Sequence, residues 1–296
     1  MNRLPYLSQR IFNTPVAIHP AKAEVIIAAL ADRLGVAHMF RDDGNTVALR
    51  RLAMEDADES ALFGGGGGDS ARGYDLVEGV AIIHVAGTLV QKHGYLRPES
   101  GMTGYDGIRQ NLLTAIYDPK VKAIALDIDS PGGEVAGCFD LADQIYALRG
   151  EKPIWAILDE VAYSAAYAIA SAADYITVPR TGGTGSIGVV CCHTDWSKAL
   201  SGAGVKVTFI QYGARKTDGA PEKPLDDEAL GRFQADIDRI GELFVDTVAR
   251  NRDIPASKVR GTQAGTYLGR AGVSLGLADA VMAPDAAFRG LLDSIR

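Results

Sequence analysis

From about residue 80 onward, apolar runs of strand length alternate with stretches of helical periodicity, and this alternation limits the fold more than any other feature. The run VAIIHVAGTLV (80–90) predicts a strand, 105–117 a helix, 121–129 a second, buried strand and 134–148 another helix. Residues 153–158 predict a strand, 164–173 a short helix and 175–178 a further strand. Strand–helix alternation of this kind predicts an α/β domain on a mainly parallel sheet. Thr184-Gly185-Ser186-Ile187-Gly188-Val189-Val190 predicts a tight turn into a strand, and 205–211 predicts one more. A long polar-faced helix is expected over about 226–252, with a short helical region running to Arg296.

Upstream of this domain the pattern changes. Pro20 suits a first helical turn, and Val25, Ile26, Ala29, Leu30 and Leu34 recur at helical spacing until Gly35 stops them, so 21–34 predicts an amphipathic helix. A strand-like piece at 46–49 and a polar, acidic stretch at 55–59 lead to Phe63 and a run of glycines, 64–68. That run has no Lys-Ser/Thr sequel and no strand before it, so it reads as a flexible linker rather than a phosphate loop. The expected division is therefore a helical N-terminal extension (1–63), a glycine-rich linker (64–73) and one α/β domain (74–296).

Charge and cysteine content narrow the function class. A net charge of −7 speaks against a nucleic-acid-binding surface. Cys191 and Cys192 are adjacent, an awkward geometry for a disulfide, so with Cys138 they are expected to be reduced, buried thiols of a cytoplasmic protein. No Cys/His spacing suggests a metal, and no cofactor is expected. Nothing at the N-terminus reads as a signal peptide, and no apolar run reaches the roughly 18–20 residues that would span a bilayer, so no membrane anchor is expected.

The candidate chemistry begins where the apolar segment 154–158 ends and Ser164 stands before an alanine-rich helix. A serine there has two readings. It could cap the helix with its hydroxyl, or it could be a nucleophile aimed out of a strand-to-helix turn, with the helix N-terminus favouring negative charge beside it. A nucleophile needs a base. Among the histidines, His19 and His38 lie in the N-terminal extension, His84 and His193 in strands and His93 in a loop, none with a recognisable acidic orienter. Lys216, in a loop expected to leave a strand end, is a second candidate, since serine–lysine pairs are a known variant of the triad. Lysine works as a base only when its surroundings bring its pKa down from about 10.4. Pro131-Gly132-Gly133 is expected at the C-terminal end of a parallel strand, where α/β sheets place ligand sites and where bare glycine N–H groups can approach an oxyanion. Ser186 could hold the lysine amine, or be a plain turn serine.

Taken together, Asp129-Ser130-Pro131-Gly132-Gly133, Ala162-Tyr163-Ser164-Ala165-Ala166-Tyr167, Thr184-Gly185-Ser186-Ile187-Gly188-Val189 and Gly213-Ala214-Arg215-Lys216 resemble the signal-peptide-peptidase-A (SppA) family of serine peptidases in order and approximate spacing. The closing stretch from Gly269-Arg270-Ala271 to Leu275-Gly276-Leu277-Ala278-Asp279 resembles that family's final motif, and the likeness covers roughly residues 80–281. The resemblance implies a Clp-protease/crotonase-like α/β fold and a Ser–Lys dyad. It makes Ser164 the nucleophile, Lys216 the general base, Ser186 the residue that orients the lysine, and the N–H groups of Gly133 and Ala165 the oxyanion donors. The stretch 10–20 with its following helix looks like the preface of the tailed-phage branch, whose members resemble the lambda head-maturation protease and cleave scaffold and other prohead proteins. That branch implies capsid scaffold, portal or coat proteins as substrates, an assembling prohead in the host cytoplasm as the place of action, and a homo-oligomer as the working form. An extended substrate strand is expected to pair with a sheet edge near Ser164, with small or aliphatic side chains beside the scissile bond. Three other readings stay open. The chain could be a cellular SppA-like protease that degrades signal or membrane-derived peptides, a crotonase-type acyl-CoA enzyme, or a non-catalytic assembly module.

Overall fold

A computed structural model describes residues 14–19, 22, 39–40, 46–47 and 73–296. The expected 21–34 helix, apart from Lys22, and the glycine linker lie outside the described residues. The strands are β1 (Val16–Ile18), β2 (Met39–Phe40), β3 (Thr46–Val47), β4 (Asp75–Val77), β5 (Val80–Val90), β6 (Met102–Gly104), β7 (Ala123–Glu134), β8 (Ile154–Tyr163), β9 (Tyr175–Val178), β10 (Gly183–Gly185), β11 (Thr266–Leu268) and β12 (Ala280–Val281). The helices are α1 (Tyr105–Tyr117), α2 (Cys138–Ala147), α3 (Ala165–Ser171), α4 (Ser197–Gly202), α5 (Asp227–Arg252), α6 (Ala256–Arg260), α7 (Arg270–Ser274) and α8 (Pro284–Ser294).

Ten strands form one sheet with the central path β11-β10-β8-β7-β5-β4. β5, β7, β8 and β10 run parallel, as strand–helix alternation requires, while β4 and β11 close the margins antiparallel. The period-2 pattern of the central strands sorts their side chains between two layers. Ile83, Val85, Ile124, Leu126 and Ile128 face the main core, which includes α1, α2 and α3. Val80, Ala123, Ala125 and Ile157 face the other way, against Ala287, Leu291 and Leu292 of α8.

Several elements differ from their sequence expectation. β7 does not stop at Asp129; it runs on through Pro131, Gly132 and Gly133 to Glu134, so those glycines form strand, not a turn leading straight into a helix. The Ser130 hydroxyl makes this continuation work, donating to Gly87 O (2.7 Å) and accepting from Gly132 N–H (3.2 Å) across the irregularities in β5 and β7. The helix expected from residue 134 accordingly begins only at Cys138. After Ser186 the expected strand reduces to bridge residues at Val190 and Cys192. Residues 205–211 form no strand; between α4 and α5 the chain makes turns without a helix or strand. Its Val-Lys-Val-Thr-Phe-Ile alternation has no partner strand among the described residues.

The helix expected over 226–252 forms as α5, with the Asp226 carboxylate accepting from Ala229 N–H at 2.7 Å as N-cap. Of the cysteines, all three are free, Cys138 is buried as expected, and Cys191 and Cys192 are only partly so. Burial pushes the Cys138 thiol up to about 12, which keeps it protonated and inert. Among the described residues no helix is long and apolar enough to cross a membrane, and no His/Cys/Asp/Glu group is arranged to hold a metal.

Candidate active site

The site forms where β8 parts from β7. The two strands pair as far as Ser130 opposite Ala162, and β8 ends one residue later, at Tyr163. Ser164 follows in a backbone conformation of φ 54°, ψ −121°, which L-residues rarely adopt, and α3 begins with Ala165. Such a conformation costs of order 1–3 kcal/mol and persists only where the surroundings impose it. They do so here. Ser164 N–H donates to Gly185 O (2.9 Å), and its carbonyl accepts from Ala168 N–H (3.0 Å) in the first turn of α3.

The hydroxyl of Ser164 makes no cap bond to α3, which removes the capping reading. Among the described residues it makes a loose donation to Gly188 O at 3.4 Å, and the residue is 1 % exposed. α3 itself is entirely buried, against β7 and between α2 and α5, and its alanines leave the thickness this packing needs. Its far end is held by Arg149, whose guanidinium donates to the carbonyls of Ser171 (3.0 Å), Ala172 (2.8 Å) and Ala173 (2.6 Å). Tyr167 O–H donates to Leu277 O at 2.9 Å, so the closing Gly-Leu-Ala-Asp motif braces this helix. Asp279 of that motif accepts from Ile176 N–H (2.7 Å) and from Arg252 (2.6 Å).

Ser186 mirrors Ser164 on the neighbouring strand. Gly185 pairs with Tyr163 in the parallel β8–β10 ladder, so the two serines follow adjacent strand ends, and Ser186 also has φ 54°. It is buried, and its N–H donates to Gly265 O at 2.8 Å. Gly133 lies opposite Leu89 of β5, and a methyl group there would sit 1.9 Å from Leu89 O, so no side chain fits. Gly132, with φ 103°, borders Ser164 directly: a methyl at that position would lie 3.0 Å from the Ser164 Cβ.

Lys216 stands apart. It is exposed, in a turn closed by its own N–H donating to Gly213 O (3.1 Å), and no side-chain hydrogen bond joins it to Ser164 or Ser186 among the described residues. The same segment carries Ile210 and Tyr212, which are 99 % and 101 % exposed.

Two arrangements escaped the sequence. His84 of β5 lies in register with Asp127 of β7, and its ring bridges Asp127 (Nδ1, 2.7 Å) and Asp75 (Nε2, 3.1 Å), with Arg97 holding Asp75 through both carboxylate oxygens. The register that makes this pair is not visible along one strand. His19, set aside as part of the N-terminal extension, stacks on Tyr163 with ring centroids 5.2 Å apart. A signal for its strand was present in the apolar run between Pro15 and Pro20.

A mixed α/β sheet with a strained serine at the junction of a parallel strand and a buried helix defines a recognisable class, and the family model described as Peptidase family S49 matches residues 146–293. The chain belongs to that family, and the matched region contains Ser164, Ser186 and Lys216. It is 40 % identical over 93 % of its length to the head-tail preconnector protein GP5 of Enterobacteria phage P21, covering 54 % of that protein. It is 38 % identical over 94 % of its length to the capsid assembly protease C of Escherichia phage lambda, covering 63 % of it. A chloroplastic serine protease SPPA of Arabidopsis thaliana is 30 % identical over 68 % of the chain, which covers 30 % of that protein. The chain thus spans a little over half the length of the phage relatives.

Proposed function

We propose that this chain is a serine endopeptidase of phage head assembly, acting on extended segments of capsid scaffold, portal or coat proteins in the assembling prohead. Ser164 attacks the peptide carbonyl, Lys216 takes its proton and later passes it to the leaving amine, Ser186 orients the lysine, and the N–H groups of Gly133 and Ala165 receive the oxyanion on a Clp-protease/crotonase-like framework. The observation that carries this reading is the backbone of Ser164. A buried hydroxyl, unused as a helix cap, engaged among the described residues only in a loose 3.4 Å bond to Gly188 O and held on a strained turn beside a glycine-lined strand edge, is suited to act as a nucleophile. Likeness to a capsid assembly protease supports the substrate class.

The lysine must reach this serine in the working enzyme. Its exposed segment, with unburied Ile210 and Tyr212, is suited to dock against a second copy or onto its own chain once substrate binds. Co-expression with candidate scaffold, portal and coat proteins, followed by mass-spectrometric mapping of new termini, tests the proposal. Ser164→Ala should abolish cleavage with folding intact. Lys216→Arg should abolish it too, because guanidinium stays charged at any usable pH. A Lys216→Arg chain with near wild-type cleavage would rule out the dyad.

A further inference from the structure

The edge of β7 that β8 abandons is occupied. β5 already pairs with Gly132 and Gly133 on one side, so the strand that pairs with them on the other side lies along the edge that leads to Ser164. That strand is β1, antiparallel to β7, with Val16 opposite Glu134, Ala17 opposite Gly133 and Ile18 opposite Gly132. Its other edge is also held: Val16 N–H donates to Val190 O (2.9 Å) and Val190 N–H donates back to Val16 O (3.0 Å). Residues 14–19 therefore run between two main-chain rails, the arrangement by which a sheet edge captures an extended polypeptide.

We propose that this segment is an internal occupant of the substrate cleft, an autoinhibitory strand that another polypeptide must displace; the inference rests on Ser164 being the nucleophile. His19 N–H donates to Pro131 O at 2.9 Å, and alternation along an antiparallel ladder then turns the main-chain groups of Ala17 towards Gly133, the proposed oxyanion donor. The Ala17 carbonyl reaches the site itself. A methyl on Gly132 would lie 2.2 Å from Ala17 O and 3.0 Å from the Ser164 Cβ, so carbonyl and nucleophile flank the same bare glycine. Ala17 and Ile18 are 1 % and 8 % exposed, and the His19 ring covers Tyr163, the residue before the nucleophile. The cleft thus holds a small side chain flanked by β-branched aliphatic ones, and this defines the class of polypeptide that competes for it. Tethering places the strand at an effective concentration of order millimolar, so a free peptide must bind tightly to displace it.

The test uses a fluorescent peptide copying residues 14–19 (Thr-Pro-Val-Ala-Ile-His) and the full chain carrying Ser164→Ala, so that binding is read without turnover. Replacing residues 14–19 of the chain by alternating glycine and serine should tighten peptide binding at least about tenfold, the factor by which a tethered competitor is removed. Equal binding by both chains, or binding by neither, overturns the proposal. Hydrogen exchange on the chain with residues 14–19 intact supplies a readout that does not depend on the replacement folding. Saturating peptide should strip protection from the Val16 and His19 amides while the Val190 amide stays protected by the new strand. Unchanged protection at Val16 and His19 with the peptide bound would show that β1 lies outside the substrate cleft. Residual cleavage by the Ser164→Ala chain would instead refute the nucleophile while leaving these binding results interpretable.

Discussion

Ser164 holds a left-handed backbone that glycine adopts without strain, and the serine side chain is retained there at a cost in stability. Ser164→Gly should therefore unfold at higher urea than Ser164→Ala, by about 1 kcal/mol or more, although both should lack cleavage. Equal urea midpoints would mean that the turn is not strained. The His84 cluster titrates on its own terms. The hydrogen bond from the ring to Asp127 raises the His84 pKa above 6.5, against the opposing effect of burial, and the bidentate Arg97 lowers Asp75 to about 2. Stabilisation from His84 is full below 6.5 and is lost as pH rises through its raised value; that from Asp75 is full above 3.8 and is lost as pH falls towards 2. The melting-temperature gap between the native chain and His84→Gln should be widest between those two pH values and shrink at higher pH. A gap that grows with alkalinity contradicts the cluster as described.

At the scale of elements, the sequence was most informative where period and length agree. The helix over 105–117 and the strand over 175–178 match the structure residue for residue, because each has a clear periodicity and a breaker at its end. Proline and glycine at 131–133 read as punctuation, yet the strand continues because Ser130 bridges the bulge and Pro131 lies beyond the last β7–β8 pair. Ser164 was legible from its place between an apolar run and small residues; its backbone strain and the clamp on the far end of α3 were not, since both depend on residues distant in sequence. Arg149 makes that clamp, donating to three α3-end carbonyls and to Asn251 O (3.0 Å). Arg149→Ala should cost about 1.5–3 kcal/mol, the range for hydrogen bonds involving a charged group. Arg149→Lys should recover little of it, because an ammonium cannot reproduce the planar fork. Urea unfolding of the two variants measures this, and a lysine variant as stable as the parent would refute the fork.

For the whole molecule, the segment 205–216 is where sequence and isolated chain disagree most usefully. Its alternating pattern is that of a strand, its residues are exposed, and it ends at the lysine that the proposed chemistry requires. A strand signal that finds no partner strand among the described residues can be satisfied when a neighbouring copy supplies the edge, and repetition of one such head-to-tail contact makes a ring where its rotation closes and a filament where it does not. Two inactive chains then test the assembly. Ser164→Ala keeps the lysine and Lys216→Ala keeps the serine, so each alone should be silent. Co-refolded in equal amounts, they should regain activity at roughly a quarter of the sites, the fraction where an intact serine meets an intact lysine from the next copy in a head-to-tail contact. Ile210→Asp introduced into both chains should abolish that recovery by placing a charge in the contact, and light scattering should show smaller particles in parallel. If the mixture stays silent while the parent chain cleaves, the lysine reaches Ser164 within its own chain, and residues 205–216 must fold back across the cleft that β1 fills.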